Sequence, residues 1–256
     1  MTNPLNRQSS HAAKGPSIRV LLKKNVNSAY LEAKGEYRVV AARTGSYLSS
    51  GISGKRFIIH GMKEGLRWGE EYPDIYQIKV FPTSDETTFF LDGIQYRGAM
   101  VIMQGEDTRV TIVNEVPIED YLRSTLAIDV SASLSKEALA ALVITARTVA
   151  FTMTNDRFAN LWDVSGEEIH YFGEGVCLQD RCVEQTIADT KYMVLQKGVE
   201  ASEIGKHFIE RIQELSLRGL NANEIIRREF PHTKIVSDYT HSTSRIGISA
   251  TPKPRA

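Results

Sequence analysis

Apolar positions along this chain change rhythm once. From Ile18 to Val116 they fall in short runs with frequent alternation, the period expected of strands. The runs are IRVLL, EYRVVAA, KRFIIHG, IYQIKVF, TTFFLDG, IQYRGAMVIMQ and TRVTIVNEV. Turn-forming text separates them at Thr44-Gly45-Ser46, Ser53-Gly54, Pro82-Thr83-Ser84-Asp85 and Asp92-Gly93. Asp92-Gly93, between FFL and IQY, predicts a tight hairpin. The aromatic residues of these runs read as core. The exception is Trp68, which lies in the Gly-bounded segment Gly65 to Glu70. That segment reads as a loop where an indole could stack on sugar.

From Pro117 the rhythm becomes helical. Pro117 takes a first helical position, Glu119 and Asp120 occupy the first turn, and Ile118, Tyr121, Leu122 and Leu126 repeat at helical spacing. The pattern stops at Asp129. After a Ser/Ala loop, Ser135 can cap a second helix, rich in Ala, Leu, Val and Ile, that is apolar almost all round and is expected to be central and buried. CVEQTIADTKYMVLQ reads as a short helix and a strand. EIGKHFIERIQELSLRG is an amphipathic helix stopped by Gly219, and Asn221 with Glu224 forms a cap for the last one. These elements predict an α+β fold, with a strand-rich first half, a buried central helix, and helices closing the end.

Two charges interrupt the helical text. Arg147 is the only charged residue between Glu137 and Asp156, and Asp129 sits where the first helix ends. In one reading Arg147 snorkels to water along a partly covered face and Asp129 merely stops a helix. In the other the two meet. The negative end of the helix dipole disfavours a charged carboxylate, and a nearby guanidinium favours it. A carboxyl group balanced this way can serve as general acid and then base.

The run NEVPIEDYL, then Asp129, then KEALAALVITARTVA, resembles the SpoIID/LytB family of sporulation and cell-wall proteins. That family's pattern is approximately N-x-v-p-l-E-x-Y-L, V-x-x-E-M-P and E-A-L-K-A-Q-A-V-A-A-R-T-Y-A. Glu119, Tyr121, Leu122, Glu137, Ala138, Leu139, Ala146, Arg147, Thr148 and Ala150 match it without a gap. In LWDVSGEEIHYFGEG, Asp163, Tyr171 and Gly173 match the following segment, and NANEIIRREFPHTKIV resembles the closing one. The resemblance implies a family domain over residues 17–238; by composition, residues 1–16 read as a disordered tail and 239–256 as a flexible one. It implies a lytic transglycosylase that cleaves peptidoglycan glycan strands lacking stem peptides, with no cofactor. The acid position falls on Asp129, where the family has Glu; Arg147, Tyr121 and Tyr171 fall on substrate-binding positions.

The sequence also departs from the family. Met-Pro after the acid is replaced by Val130-Ser131, and the long segment ending in a G-V-G-M-S-Q-type motif is missing after Gln196. Some members carry a Cys/His zinc cluster where this chain has Ser165, Gly166, Glu167 and Glu168. No zinc is expected there. His170, Cys177 and Cys182 at loose spacing read as an ordinary His with two free thiols, or as a small disulfide loop in an oxidising compartment.

Composition narrows partners more than chemistry. Of 256 residues, 42% are hydrophobic, enough for a real core, and 31 basic residues balance 31 acidic ones. Nothing in this balance points to a polybasic nucleic-acid binder, and it suits a polar, uncharged substrate, though a zero sum leaves room for a local charged patch. No run approaches a membrane span, and residues 1–16 hold no secretory apolar core. The resemblance implies the cell envelope or periplasm, whereas the missing signal leaves another export route, an upstream start or a cytoplasmic protein. Two further functions stay open: a non-catalytic peptidoglycan-binding protein that enhances an amidase or scaffolds a cell-wall complex, and a cytoplasmic protein that keeps the fold for interaction alone.

Overall fold

The computed structural model describes residues 15–237 except 53, 55, 130–133, 155–159 and 175–180, and describes only the backbone of 127–129. The tails expected at 1–16 and 239–256 therefore lie outside the described residues, apart from Gly15 and Pro16. The strand-rich half contains β1 (Ser17–Val26), β2 (Ala29–Lys34), β3 (Tyr37–Ala41), β4 (Tyr47–Gly51), β5 (Arg56–Met62), β6 (Gly65–Trp68), β7 (Glu70–Pro73), β8 (Gln77–Pro82), β9 (Thr88–Leu91), β10 (Ile94–Tyr96), β11 (Ala99–Gln104) and β12 (Val110–Pro117). The second half contains α1 (Ile118–Asp129), α2 (Lys136–Met153), β13 (Val164–Ser165), α3 (Arg181–Asp189), β14 (Val194–Leu195), α4 (Lys206–Leu217), α5 (Ala222–Glu229) and β15 (Ile235–Val236). The α+β architecture expected from the two rhythms is the one observed.

Among the described residues, seven strands form one sheet in the order β13-β1-β12-β11-β8-β3-β4 and six form another in the order β10-β9-β2-β5-β6-β7. Leu31, Ile59 and Leu66 of the second sheet share one core with Ile78, Val80 and Ile102 of the first, and α2 adds Leu142, Val143 and Ile144. Helix α2 is central, packed against α1, α3, α4, α5 and β14. Its all-round apolar text has that cause: neighbours cover nearly every face.

Local signals explain most boundaries. Asp92 and Gly93 take φ of 49° and 89°, so the β9–β10 hairpin turns through two left-handed residues as a two-residue loop of the primed type requires. The Ser135 hydroxyl accepts the Ala138 N–H and caps α2. Gly219 ends α4 at φ 89°, and its N–H and that of Leu220 reach back to Ser216 and Leu215 in a Schellman motif. Asn221 and Glu224 exchange side-chain and backbone bonds at the start of α5.

Three expectations are corrected. Pro117 ends β12, paired with Ser17, and the helix opens one residue later at Ile118. The run IQYRGAMVIMQ is two strands in different sheets. Gly98, at φ 80°, makes the switch, and a Cβ there would lie 2.3 Å from the Glu115 carbonyl oxygen. Gly65 to Glu70 is no loop but strand β6 and the start of β7. Trp68 borders a hollow of about 520 Å³ yet is only 3% exposed. Its Nε1–H donates to the Leu31 carbonyl at 3.0 Å, and Tyr37 and Phe57 pack on it at 5.2 and 6.3 Å.

Trp68 is thus core rather than a sugar platform. Trp68→Ala is expected to lower unfolding free energy by about 3–5 kcal/mol, read by urea denaturation. Glycan binding by the folded fraction should not change.

Candidate functional site

Helices α1 and α2 run antiparallel, which brings the first turn of α1 to the second half of α2. Arg147 stands there with no exposure to solvent. A guanidinium out of water needs partners for its whole fork, because an uncompensated buried charge costs several kcal/mol. Its Nε and Nη2 each donate to one oxygen of Glu119, both at 2.9 Å. Nη1 donates to the Met193 carbonyl and Nη2 to the Ile187 carbonyl, each at 3.2 Å. Both Nη groups lie 3.4 Å from the Thr190 hydroxyl oxygen. One side chain therefore joins α1, α2 and the turn that links α3 to β14. The next residue extends the joint, since the Thr148 hydroxyl accepts the Leu195 N–H at 2.9 Å.

This arrangement answers both readings of Arg147. It does not snorkel, and the acid it meets is Glu119. Asp129 is the last residue of α1, ten residues further on, or about 15 Å of helix rise. The side chain of Asp129 lies outside the described residues, as does the loop 130–133. Sequence reasoning matched Glu119 to the family yet gave it no role. The usable signal was symmetry: Glu119 and Arg147 lie equally far, to within one residue, from the helix-connecting loop, so an antiparallel hairpin sets them side by side.

Tyr121 and Tyr171 are 8% and 3% exposed, with ring centroids 5.8 Å apart, and Tyr96 stacks on Tyr171 at the same distance. The Tyr171 hydroxyl donates to Asn114 Oδ1 at 2.8 Å. Asn114, itself buried, spends its amide hydrogens on the Arg97 and Ala99 carbonyls, which flank the sheet switch at Gly98. Burial pushes the Tyr96 and Tyr121 hydroxyls up to about 12, and pushes Tyr171 well above its ordinary value. These phenols stay protonated, and that of Tyr171 donates. Asp163 is bound by the Arg19 backbone N–H at 2.8 Å and by the Arg19 guanidinium Nη2 at 2.6 Å. Gly173 packs so closely on β10 that a Cβ would lie 2.1 Å from the Gln95 carbonyl oxygen. The described positions matched to the family after α2 thus face inward and hold the frame.

The outward groups are different residues. Beside inward-facing Tyr96, Gln95 and Arg97 turn to an open depression of about 850 Å³, which α1 borders with Arg123 and α3 with Arg181, Glu184 and Gln185. Arg97 is held by Glu174, and Arg123 by Asp120. None of these entered the sequence reading, because they come from four separate segments. For metals, among the described residues no group of three or more His, Cys, Asp or Glu side chains gathers. Cys177 lies outside the described residues, and Cys182 is exposed in the first turn of α3.

Fold and joint together define an α+β protein built around a buried antiparallel helix pair. The family described as stage II sporulation protein, SpoIID, has a model that matches residues 106–196, which span β12, both helices of the pair, α3 and β14. An uncharacterized protein of Chlamydia pneumoniae is 35% identical over 226 residues, covering 86% of this chain and 81% of that protein. One from Chlamydia muridarum is 34% identical, covering 86% and 77%. One from Brachyspira hyodysenteriae is 29% identical over 180 residues, covering 69% and 47%. No solved structure matches. The chain belongs to one family with the two Chlamydia proteins and carries a SpoIID domain over residues 106–196. Membership implies a peptidoglycan-related role and a cell-envelope setting. No described helix is long and apolar enough to cross a membrane.

Glu119→Gln should destabilise the protein by about 3 kcal/mol, because it leaves a buried guanidinium without its counter-charge. Replacing both partners, as Glu119→Leu with Arg147→Met, should recover much of that loss in denaturant titrations. The tyrosines set an alkaline limit. Their folded values lie above the unfolded value of about 10, so the folded state keeps protons that the unfolded state has released. Their stabilising contribution is complete below about pH 10 and declines as pH rises toward 12. Thermal melts across that window should show a falling midpoint, shallower in Tyr96→Phe.

Proposed function

We propose that the chain is a lytic transglycosylase acting on peptidoglycan glycan strands that lack stem peptides, with Asp129 as its acid and base. The observation that carries this reading is the helix pair. Its sequence matches the family, and its α1 ends at the residue that falls on the family's acidic position. The protonated carboxyl of Asp129 gives its proton to the glycosidic oxygen as the bond to the muramic anomeric carbon breaks. The resulting carboxylate takes the proton of the same sugar's primary hydroxyl, whose oxygen closes on the anomeric carbon as an anhydro ring. One residue plays both roles, unlike the two carboxylates of hydrolases. Arg147 acts in this reading by positioning: its tie to Glu119 fixes α1 against α2 and so fixes the backbone that presents Asp129. Tyr121 and Tyr171 support the adjoining wall from beneath.

Asp in place of Glu favours a second reading. The side chain is shorter by about 1.5 Å, and a misplacement of about 1 Å can cost ~10²-fold in rate. With the Arg147 fork bonded to Glu119, two carbonyls and Thr190, the site then belongs to a peptidoglycan-binding protein that enhances a cell-wall amidase.

Incubation with denuded glycan and mass spectrometry of anhydro-muramic ends tests the choice. Asp129→Asn should abolish those ends while glycan binding persists, since the amide can neither give nor take the proton. Activity unchanged in Asp129→Asn would sink the assignment. Asp129→Glu should lower activity if the neighbouring loop fits the shorter acid, and raise it if the site derives from a Glu ancestor.

A further inference from the structure

We propose that the hollow bordered by Trp68 is a docking site for a partner protein, which pairs an extended segment with β4 and inserts a lysine side chain among the aromatic rings. The inference is independent of the glycan reading. Residues from β3 to β7 build this hollow of about 520 Å³: Tyr37, Phe57, Trp68 and Tyr72 supply rings, and Glu70 stands beside them. Strand alternation puts Glu70 on the same side of β7 as Tyr72. The rings meet at steep angles, Tyr37 at 53° and Phe57 at 89° to the indole. Two of them rest on glycines. A Cβ at Gly51 would run into the Tyr37 hydroxyl, and one at Gly69 would lie 2.9 Å from the Phe57 ring.

The chemistry of this wall selects a cation. No Lys, Arg or His lines the hollow. Glu71 is paired with Arg67, but among the described residues Glu70 has no ion pair. Burial, and after it the Glu70 charge, pushes the Tyr37 hydroxyl up, so this carboxylate is felt at the rings. Ring faces beside a carboxylate attract a cation from several sides. A planar guanidinium stacks on a flat aromatic face, whereas rings set at these angles suit a compact ammonium. Ile52, 76% exposed at the mouth, offers apolar surface to the methylene stem of a lysine.

The strands at the lips suit a polypeptide. Among the described residues β4 ends the seven-stranded sheet and β7 the six-stranded one. β7 carries Glu70, Glu71 and Pro73, and charges and proline keep a free edge from pairing. β4, YLSSG, has neither a charge nor a proline. Its Ser49 and Gly51 line the hollow. A strand paired with β4 therefore turns every second side chain toward the hollow while its backbone bonds to the free edge.

The test is isothermal titration at low salt. The probes are an acetylated, amidated heptapeptide of Val and Thr with lysine at its centre, its norleucine and arginine counterparts, the two alternately N-methylated forms of the lysine peptide, and n-butylammonium. The lysine peptide should bind about tenfold more tightly than the norleucine peptide, within the range of a partly desolvated cation over aromatic rings. That preference should shrink as salt rises. Glu70→Gln, a change at an exposed position, should remove most of it, and Phe57→Leu, which keeps an apolar filling without the ring, should weaken it. One N-methylated form, the one whose methyl groups face β4, should lose binding. Equal affinity for the lysine and norleucine peptides, a preference untouched in Glu70→Gln, or tighter binding of the arginine peptide overturns the assignment of lysine. Both N-methylated forms binding as tightly as their parent, or n-butylammonium binding as tightly as the lysine peptide, overturns strand pairing. Binding of no peptide overturns the whole proposal.

Discussion

A guanidinium removed from water constrains everything around it. Arg147 has no exposed surface, and its charge is met by the Glu119 carboxylate, two carbonyls and a hydroxyl drawn from three parts of the chain. A hydrophobic contact tolerates sliding by an ångström, but this set does not, since hydrogen bonds lose most of their strength over such a displacement. Replacing a buried ion pair by apolar residues often costs nothing. What the pair supplies here is register: α1, α2 and the α3–β14 turn can satisfy the fork in one relative position.

The second constraint is Asn114. Its side chain bonds the carbonyls on both sides of Gly98 and receives the Tyr171 hydroxyl. The corner where the chain leaves one sheet for the other is thereby tied to the segment following α2. Arg97 sits at that corner. A residue at the mouth of the 850 Å³ depression is held from behind by a buried amide, a buried phenol and a glycine that admits no side chain. Rigid support of this kind lets an exposed charged group point in one direction without being buried itself.

Much of this architecture was legible in the sequence because periodicity and capping are local. The Asp92-Gly93 hairpin, the Ser135 cap, the Gly219 stop and the Asn221–Glu224 box all depend on residues within one turn of each other. What failed was long-range. AYLEAK is absent from the strand runs because its strand character comes from neighbours that bury Ala29, Leu31 and Ala33. Trp68 hides as a loop residue because Leu31 and Tyr37, far away in sequence, cover it. At the candidate site the sequence named Arg147 but did not name Glu119 as its partner, since charge attraction by itself does not say which acid an antiparallel hairpin aligns with it. The depression residues carry no motif at all, coming as they do from separate strands and helices.

The position of β1 has a temporal consequence. It lies inside the larger sheet, between β12 and β13, and Ser17 pairs with Pro117 about a hundred residues later. A ribosome adding about 5–20 residues per second makes β12 some 5 to 20 seconds after β1, and β13 later still. Through that interval β1 has both edges bare and Ile18, Val20 and Leu21 without their native covering. Nascent chains of this protein should therefore depend on a holding chaperone during synthesis more than their modest size suggests.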